Sequence, residues 1–428
     1  MKRVIRSFKI DNPELFKNKI FNWSKPFKTS VFLDSNKYER RNGDFDTISA
    51  VGEVSSIPYT TKNSFKKLDN FISETNDWIF GYLSYDLKNE IEDLVSNNKT
   101  DFNLPNLFFF QPEKIWIIKS QTAEAHYIIE NDIEKDWLLI NSINQKKYFK
   151  KTKKILFQPR INKVDYLKKV NKILNHINRG DIYEVNFCME WLSMKSDINP
   201  EIAFSKLNKL TKTPMSGFLK NNNFYLMSSS PERFIKKKGS KVISQPIKGT
   251  AKRDSIMFKD LKIREQLKND PKERSENIMI VDLVRNDLSK FSVPGSVKVT
   301  ELCKVYPFKQ VNQMISTVES KLSKNKKLID ILKSTFPMGS MTGAPKIEAL
   351  KIIDDLEVSK REVYSGSLGY VDPNGNFDFN VVIRSILYDS KKRILSFQVG
   401  SAITSNSKPE KEFEECLLKA SPMMSIFN

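Results

Sequence analysis

The sequence predicts an α+β fold built on large antiparallel β-sheets. Three observations carry this. Short apolar runs rich in aromatics, broken by turn residues, fill the first 150 positions. Beyond residue 164 the strand-like segments come in hairpin groups. Amphipathic helical stripes lie between those groups, so the strict βαβ alternation of a parallel sheet is absent.

In chain order, TSVFLDSN (29–36), DWIFGYLSYDL (77–87), NLFFFQPEKIWIIKS (106–120) and AHYIIEND (125–132) read as strands. Residues 139–165, with the basic run QKKYFKKTKK, read as a connection and as the best boundary. VDYLKKVNKILNHINRG (164–180) places Tyr166, Val170, Ile173, Leu174 and Ile177 on one helical stripe that stops at Gly180. DIYEVNFCMEWLSM (181–194) follows as a strand, and residues 222–250 as strand, turn, strand, hairpin, strand. SENIMIVDLVRNDLSKF (275–291) is a helix with Ser275 as its expected N-cap. Residues 334–357 are a small-residue loop that becomes a helix near Pro345. Residues 362–404 form a strand meander with Asn374-Gly375 as a hairpin turn, and 408–424 a last helix.

With 428 residues, 39% hydrophobic and 11% aromatic, the chain can fill one composite domain or two. No apolar run is long enough to span a bilayer. MKRVIRSFKIDNPELF has no apolar core or cleavage site, so a secretory signal is not expected. Cys188, Cys303 and Cys416 are odd in number and far apart, as reduced thiols of a cytoplasmic protein would be. His126 and His176 share no spacing with them, which argues against zinc. The net charge of +20 is spread over the whole length and accompanies no nucleic-acid motif, so nucleic acid is not the expected partner.

Several residues stand where chemistry could be done. Lys248 lies in SQPIKGTAKR, between an apolar pair and a Gly-Thr step. Two readings are open: an ordinary strand-end lysine, or a buried nucleophile whose pKa is lowered by burial and by nearby Lys252 and Arg253. Glu232 follows a turn proline, Glu276 opens one helix, and Glu412 and Glu415 share a face of the last; two helix-borne glutamates from distant parts of the chain could supply a hard cation such as Mg2+, which needs only one or two. Glu415 could equally pair with Lys419 one helical turn on. GSMTGAPK (339–346) suits an anion before a helix. YSGSLGY and QVGSAIT place glycines where backbone approaches closely, and Arg384 in VVIRS is expected to be buried against a carboxylate.

In order, SSSPERF, PIKGT, SENIMIVDLVRNDLSK, FPMGSMTGAPK, YSGSLGY, VVIRS, QVGSAIT and EKEFEECLLKA resemble the motifs of the chorismate-utilising enzymes. That family includes anthranilate, aminodeoxychorismate, isochorismate and salicylate synthases. The resemblance runs from about 164 to 421, with FLDSN (32–36) and FGYLSYDL (80–87) as weaker matches before it. It implies a sandwich of antiparallel sheets with helices outside, as in anthranilate synthase component I. Residues 1–150 would be an N-terminal strand-rich region and 160–428 the chorismate-binding catalytic domain.

PIKGT resembles the aminodeoxychorismate synthases, whereas anthranilate synthases typically read PIAGT. The resemblance implies an aminotransferase-class amination of chorismate to 4-amino-4-deoxychorismate, on the way to 4-aminobenzoate and folate. Lys248 would attack C2 as the nucleophile, and Glu232 would act as general acid and base at the C4 oxygen. Glu276 and Glu415 would hold Mg2+, with Glu412 beside them. Thr250, Tyr364, Arg384 and Gly400 would bind the substrate. Ammonia would come from a separate glutamine amidotransferase subunit.

Four departures from the family pattern stand out. Met338 replaces a glycine, and the family's GAG loop reads Gly400-Ser401-Ala402. Gln313 stands where anthranilate synthases carry a histidine tied to pyruvate elimination. Glu184 stands where isochorismate synthases have a lysine and ammonia-using members usually a glutamine, and it receives no role beyond lining the site. Anthranilate synthase is the alternative activity. FLDSN lies where those enzymes often carry a tryptophan-regulatory pocket.

Overall fold

The computed structural model describes residues 2–38, 43–92, 94–144 and 154–427; the centre of the connecting stretch, 145–153, lies outside the described residues. The first elements are β1 (Val4–Lys9), α1 (Pro13–Ser24), β2 (Thr29–Asp34), β3 (Thr47–Ser56), α2 (Ser64–Thr75), β4 (Ile79–Leu83), β5 (Leu107–Lys119), β6 (Thr122–Tyr127) and α3 (Asp132–Ser142). Next come β7 (Gln158–Pro159), α4 (Lys163–Arg179), β8 (Glu184–Ser193), α5 (Pro200–Thr211), β9 (Met215–Asn221), β10 (Phe224–Ser230), β11 (Arg233–Lys238), β12 (Lys241–Gln245) and β13 (Ile247–Lys252). Then follow α6 (Met257–Asn269), α7 (Pro271–Ser289), β14 (Lys298–Pro307), β15 (Val311–Lys321), α8 (Leu328–Thr335), β16 (Gly343–Ala344) and α9 (Lys346–Leu356). The chain closes with β17 (Ser367–Val371), β18 (Phe377–Asn380), β19 (Ser385–Asp389), β20 (Ile394–Thr404) and α10 (Pro409–Ser425).

The named strands pair antiparallel throughout, in two arms that meet at β5. One arm runs β8–β20–β19–β10–β9–β2–β3–β5. The other runs β5–β4–β17–β18–β11–β12–β15, with β13 and β14 both on β15. Strands from before and after 145–153 therefore share one sheet system. Val31, Ala50, Leu226 and Leu387 of the first arm pack with Phe80 and Leu368 of the second, which makes the sandwich interior. Helices cover the outside: α4, α5, α9 and α10 over β8 and β20, and α2, α7 and α8 over the second arm. Among the described residues no helix is long and apolar enough to cross a membrane.

Two readings of local structure need correction. The N-terminal region is not only strands: α1, α2 and α3 lie within it, and their aromatic and isoleucine-rich stripes resemble strand composition. Helix α7 begins four residues before Ser275, at Pro271, because Asp270 accepts the Glu273 amide and caps it.

A buried ion pair ties the meeting point of these elements. Arg361, 1% exposed, donates to Glu357 Oε1 and Oε2 at 2.6 and 2.9 Å, to the Met341 carbonyl at 2.6 Å and to the Asn186 carbonyl at 2.8 Å. Glu357 also accepts the Cys188 amide at 2.8 Å. The guanidinium lies over the Tyr85 ring, 4.5 Å from its centroid. Removing one partner strands the other charge in the interior. Arg361→Met or Glu357→Gln should therefore lower unfolding free energy by about 3–5 kcal/mol, measured by urea denaturation, and the double substitution should cost less than the sum. A loss under about 1 kcal/mol would show that the pair does not hold this junction.

Candidate active site

The site is built around β13. Its pairing with β15 slips between Ile247↔Ile315 and Thr250↔Gln313. Gly249 sits in that slip with φ +98°, a left-handed conformation that a side chain would strain, and a Cβ there would lie 3.1 Å from Met314 Cβ. The Lys248 carbonyl accepts from Asn277 Nδ2 at 3.1 Å, which pins the bulge to α7. The Lys248 side chain, 10% exposed, donates to Glu184 Oε1 at 2.5 Å. Glu184 opens β8, where β16 presses close: a Cβ on Gly343 would fall 2.1 Å from the Glu184 carbonyl oxygen.

The charge state of Lys248 reverses the expectation. Burial works against the ammonium, but Glu184, Glu276 and Glu232 outweigh it and raise the pKa above the ordinary lysine value. The positive neighbours proposed from sequence are not among the leading influences on it: Arg253 is held by Asp260 at 2.9 Å, and Lys252 is exposed. The resting group is an ammonium among carboxylates, so it needs a proton acceptor before it can attack.

Glu232, 4% exposed, follows Pro231 in the turn between β10 and β11 and accepts from Ser340 Oγ at 2.7 Å. Burial pushes its carboxyl up to about 7, against the pull of Ser340, the Ile247 amide, Lys248 and Arg384. It is thus half protonated near neutrality, the condition a general acid and base needs. Arg384 has φ +51° and is partly buried; burial lowers its pKa to about 10 while Glu232 opposes this. Its guanidinium makes no ion pair or hydrogen bond among the described residues, and Glu232 acts on it only at longer range.

Glu276 and Glu415 come from α7 and α10. Burial pushes Glu276 up to about 7, with Lys248 and Lys272 pulling down and Glu184 and Glu273 adding to the rise. Its Oε1 is buried without a hydrogen bond, and Lys272 Nζ is 3.8 Å away. Burial also lifts Glu415, but Lys419, at 2.6 Å, and Lys272 and Lys248 outweigh it and its pKa falls. The helical pairing of Glu415 with Lys419 considered from sequence is therefore real. Glu412, 3% exposed, accepts from Ser401 Oγ at 2.7 Å. Glu276, Glu412, Glu273 and Glu415 all raise the pKa of Lys272 against its burial, so each lies within electrostatic reach of that ammonium. Among the described residues no three His, Cys, Asp or Glu form a ready metal cage. An all-oxygen set with one unsatisfied buried oxygen still suits Mg2+, which takes few protein carboxylates and keeps water or substrate oxygens.

Of the remaining residues, Tyr364 and Gly400 both adjoin Cys188, whereas Thr250 does not lie in that cluster. Tyr364 is buried, its phenol raised by burial beside Cys188 and Arg361. Gly400 lies in β20 opposite Cys188, so Gly400-Ser401-Ala402 is strand and not loop; a Cβ on Gly400 would meet Cys188 Sγ at 2.6 Å. Thr250 is exposed on β13. Gln313, 2% exposed, has a buried Oε1 with no partner. FLDSN contributes Leu33 and Asp34 to a separate cavity of about 230 Å3, with Tyr38, Phe45, Met215 and Tyr370. Sequence reading missed Asn277, Ser340 and the Arg361–Glu357 pair, and left Glu184 without its lysine contact. Only burial and long-range pairing identify these.

Comparison with known proteins agrees with this architecture. The chorismate binding enzyme family matches residues 28–425. The chain is 33% identical to aminodeoxychorismate synthase component 1 of Escherichia coli over 346 residues, 80% of this chain and 75% of that one. It is 32% identical to anthranilate synthase component 1 of Thermus thermophilus over 355 residues, 81% and 76% of the two chains. The fold superposes on anthranilate synthase component I from Streptococcus pneumoniae with TM-score 0.79 and 23% identity, covering 90% of this chain and 93% of that one. With its buried lysine ringed by carboxylates inside an antiparallel sandwich, the chain belongs to the chorismate binding enzyme family.

Proposed function

We propose that this chain is an aminodeoxychorismate synthase component that converts chorismate and ammonia to 4-amino-4-deoxychorismate through an adduct on Lys248. The observation that carries the reading is Lys248 itself, buried on β13 and in contact with a carboxylate while Glu232, pushed up to about 7, lies within electrostatic reach. Lys248 attacks C2 once its proton is removed. Glu232 in its acid form protonates the C4 oxygen, so that it leaves as water. Arg384, with no protein carboxylate in contact, takes a substrate carboxylate, and Tyr364, Gly400 and Thr250 complete the binding surface. Glu276 and Glu415, with Glu412 beside them, would hold Mg2+, which supplies charge for the ring carboxylate.

Ammonia has to come from a partner, a glutamine amidotransferase subunit. Cys188, Cys303 and Cys416 are buried and their thiols are raised by burial, Cys416 to about 12, so none is a ready nucleophile for glutamine. Three unpaired thiols also suit a cytoplasmic enzyme of 4-aminobenzoate and folate synthesis. The Thermus relative keeps anthranilate as the second reading. Gln313 weighs against it, because an amide cannot remove a ring proton.

Product identity tests the proposal. The purified chain, given chorismate, Mg2+ and ammonium salt, should yield 4-amino-4-deoxychorismate by mass and chromatography; anthranilate instead would overturn it. Lys248→Ala should slow turnover by roughly 100-fold without abolishing it, since ammonia can still attack directly. Glu276→Gln and Glu415→Gln should each raise the Mg2+ needed for half-maximal rate on the order of 10–100-fold. Wild-type Mg2+ dependence in either variant would refute the metal assignment.

The state of Glu232 is testable without substrate. Its folded-state value of about 7 lies above the ordinary 4.5, so folding takes up a proton between those values. The group is neutral at no cost below about 4.5, and its ionisation opposes folding as pH rises through 7. Glu232→Gln should therefore leave the melting temperature nearly unchanged at pH 5 and raise it at pH 8, a gain on the order of 2–3 kcal/mol at most. An equal effect at both pH values would show that Glu232 is not held protonated.

A further inference from the structure

Glu184 is the carboxylate in contact with Lys248, and its two oxygens differ. Oε1 accepts from Lys248 Nζ at 2.5 Å. Oε2 is buried and has no hydrogen-bond partner among the described residues. The residue is 1% exposed and fixed at the start of β8, between β16 and β20. Glu276 Oε1 is a second buried carboxylate oxygen without a hydrogen bond among the described residues, with Lys272 Nζ 3.8 Å away, and Glu276, Glu184 and Lys248 are near enough to act on one another. Two buried carboxylate oxygens beside Lys248 thus lack hydrogen-bond donors.

We propose that Glu184 is a catalytic residue that seats the incoming ammonium ion on its free Oε2, takes its proton and so releases ammonia as the nucleophile. The inference rests on the Lys248-adduct reading above. An ammonium ion supplies four N–H donors, which these oxygens lack, and a positive charge that closely placed carboxylates attract. One N–H bond breaks and its proton goes to Glu184, giving a neutral carboxylic acid and ammonia. The ammonia lone pair forms the N–C4 bond, both ring double bonds shift, and the C2–Nζ bond breaks with its electron pair left on Lys248. Rotation of the carboxyl group brings the proton to Nζ. Glu184 is again a carboxylate, Lys248 is a neutral amine, and the product carries a C4 ammonium, so atoms and charge balance. A glutamine at this position could hold ammonia but could not take the proton.

Glu184→Gln, which keeps the shape, tests this in the full chain with ammonium chloride as the probe. At saturating chorismate and Mg2+, the variant should need at least about tenfold more ammonium for half-maximal rate. Its rate should follow free ammonia, climbing nearly tenfold per pH unit between 7 and 8.5, while the wild type follows total ammonium and changes far less. Intact mass should show the substrate adduct on Lys248 accumulating in the variant when ammonium is limiting. Half-saturation by chorismate and Mg2+ should not move. An unchanged ammonium dependence overturns the inference. So does weakened Mg2+ binding alone, which would make Glu184 a metal ligand, or loss of the adduct, which would make it only the partner of Lys248. If the wild type forms no C4-aminated product from ammonium, the functional reading fails and this inference with it; if it does and the variant matches it, the inference alone fails.

Discussion

The Arg361–Glu357 pair is the interaction on which the site geometry depends. It is a set of charge-assisted hydrogen bonds in a buried junction, and its reach explains its importance. Arg361 holds the carbonyls of Asn186 and Met341, and Glu357 holds the amide of Cys188. Asn186 is two residues from Glu184 on the same strand. Met341 follows Ser340, which donates to Glu232. Tyr364 lies three residues beyond Arg361 and its amide bonds to the Arg361 carbonyl. One guanidinium therefore sets the distance between the carboxylate at Lys248 and the hydroxyl at Glu232. A neutral side chain of the same size could fill the space but could not satisfy three carbonyl or carboxylate groups at once.

Around that frame the charges are arranged so that the resting site is only partly ionised. Glu232 and Glu276 are each pushed up to about 7 by burial, and Lys248 is held charged by them and by Glu184. The arrangement does not present a free amine at rest. It presents a proton that has to be moved and carboxylates able to move it. On the proposed reading, catalysis is then a matter of which carboxylate holds a proton at each step: Glu232 gives one to the departing oxygen, and Glu184 lies in contact with the nucleophile. Arg384 stays cationic, as its value of about 10 keeps it charged at neutral pH.

The parts of this legible in the sequence are those with local causes. The stripe of α4 ending at Gly180, the Asn374-Gly375 turn and the helix after Pro345 follow from spacing and backbone chemistry, and each is present. The motif residues Glu232, Lys248, Glu276, Glu412 and Glu415 were found because ordered segments resemble a family. What was not legible has long-range causes. The contact of Lys248 with Glu184 spans 64 positions, and the carboxylates that raise its pKa come from three different elements. The basic neighbours in sequence, Lys252 and Arg253, suggested the opposite shift because adjacency along a strand was read as adjacency in space. Helices α1 to α3 were missed because aromatic and branched residues form either a helical stripe or a strand face, and only packing decides.

On the proposed reading, position 313 also bears on why anthranilate would not form. That route aminates C2 and needs a base that removes the ring proton there. Position 313 carries an amide whose buried oxygen is unpartnered, and an amide holds a group by hydrogen bonding without accepting its proton. If Lys248 occupies C2, ammonia is directed to C4, and the carbon that would have to lose a proton for anthranilate is the one the enzyme has just released. On that proposed reading, lysine at 248 and glutamine at 313 would work together: the first would send nitrogen to C4, and the second, an amide, would offer no base at C2.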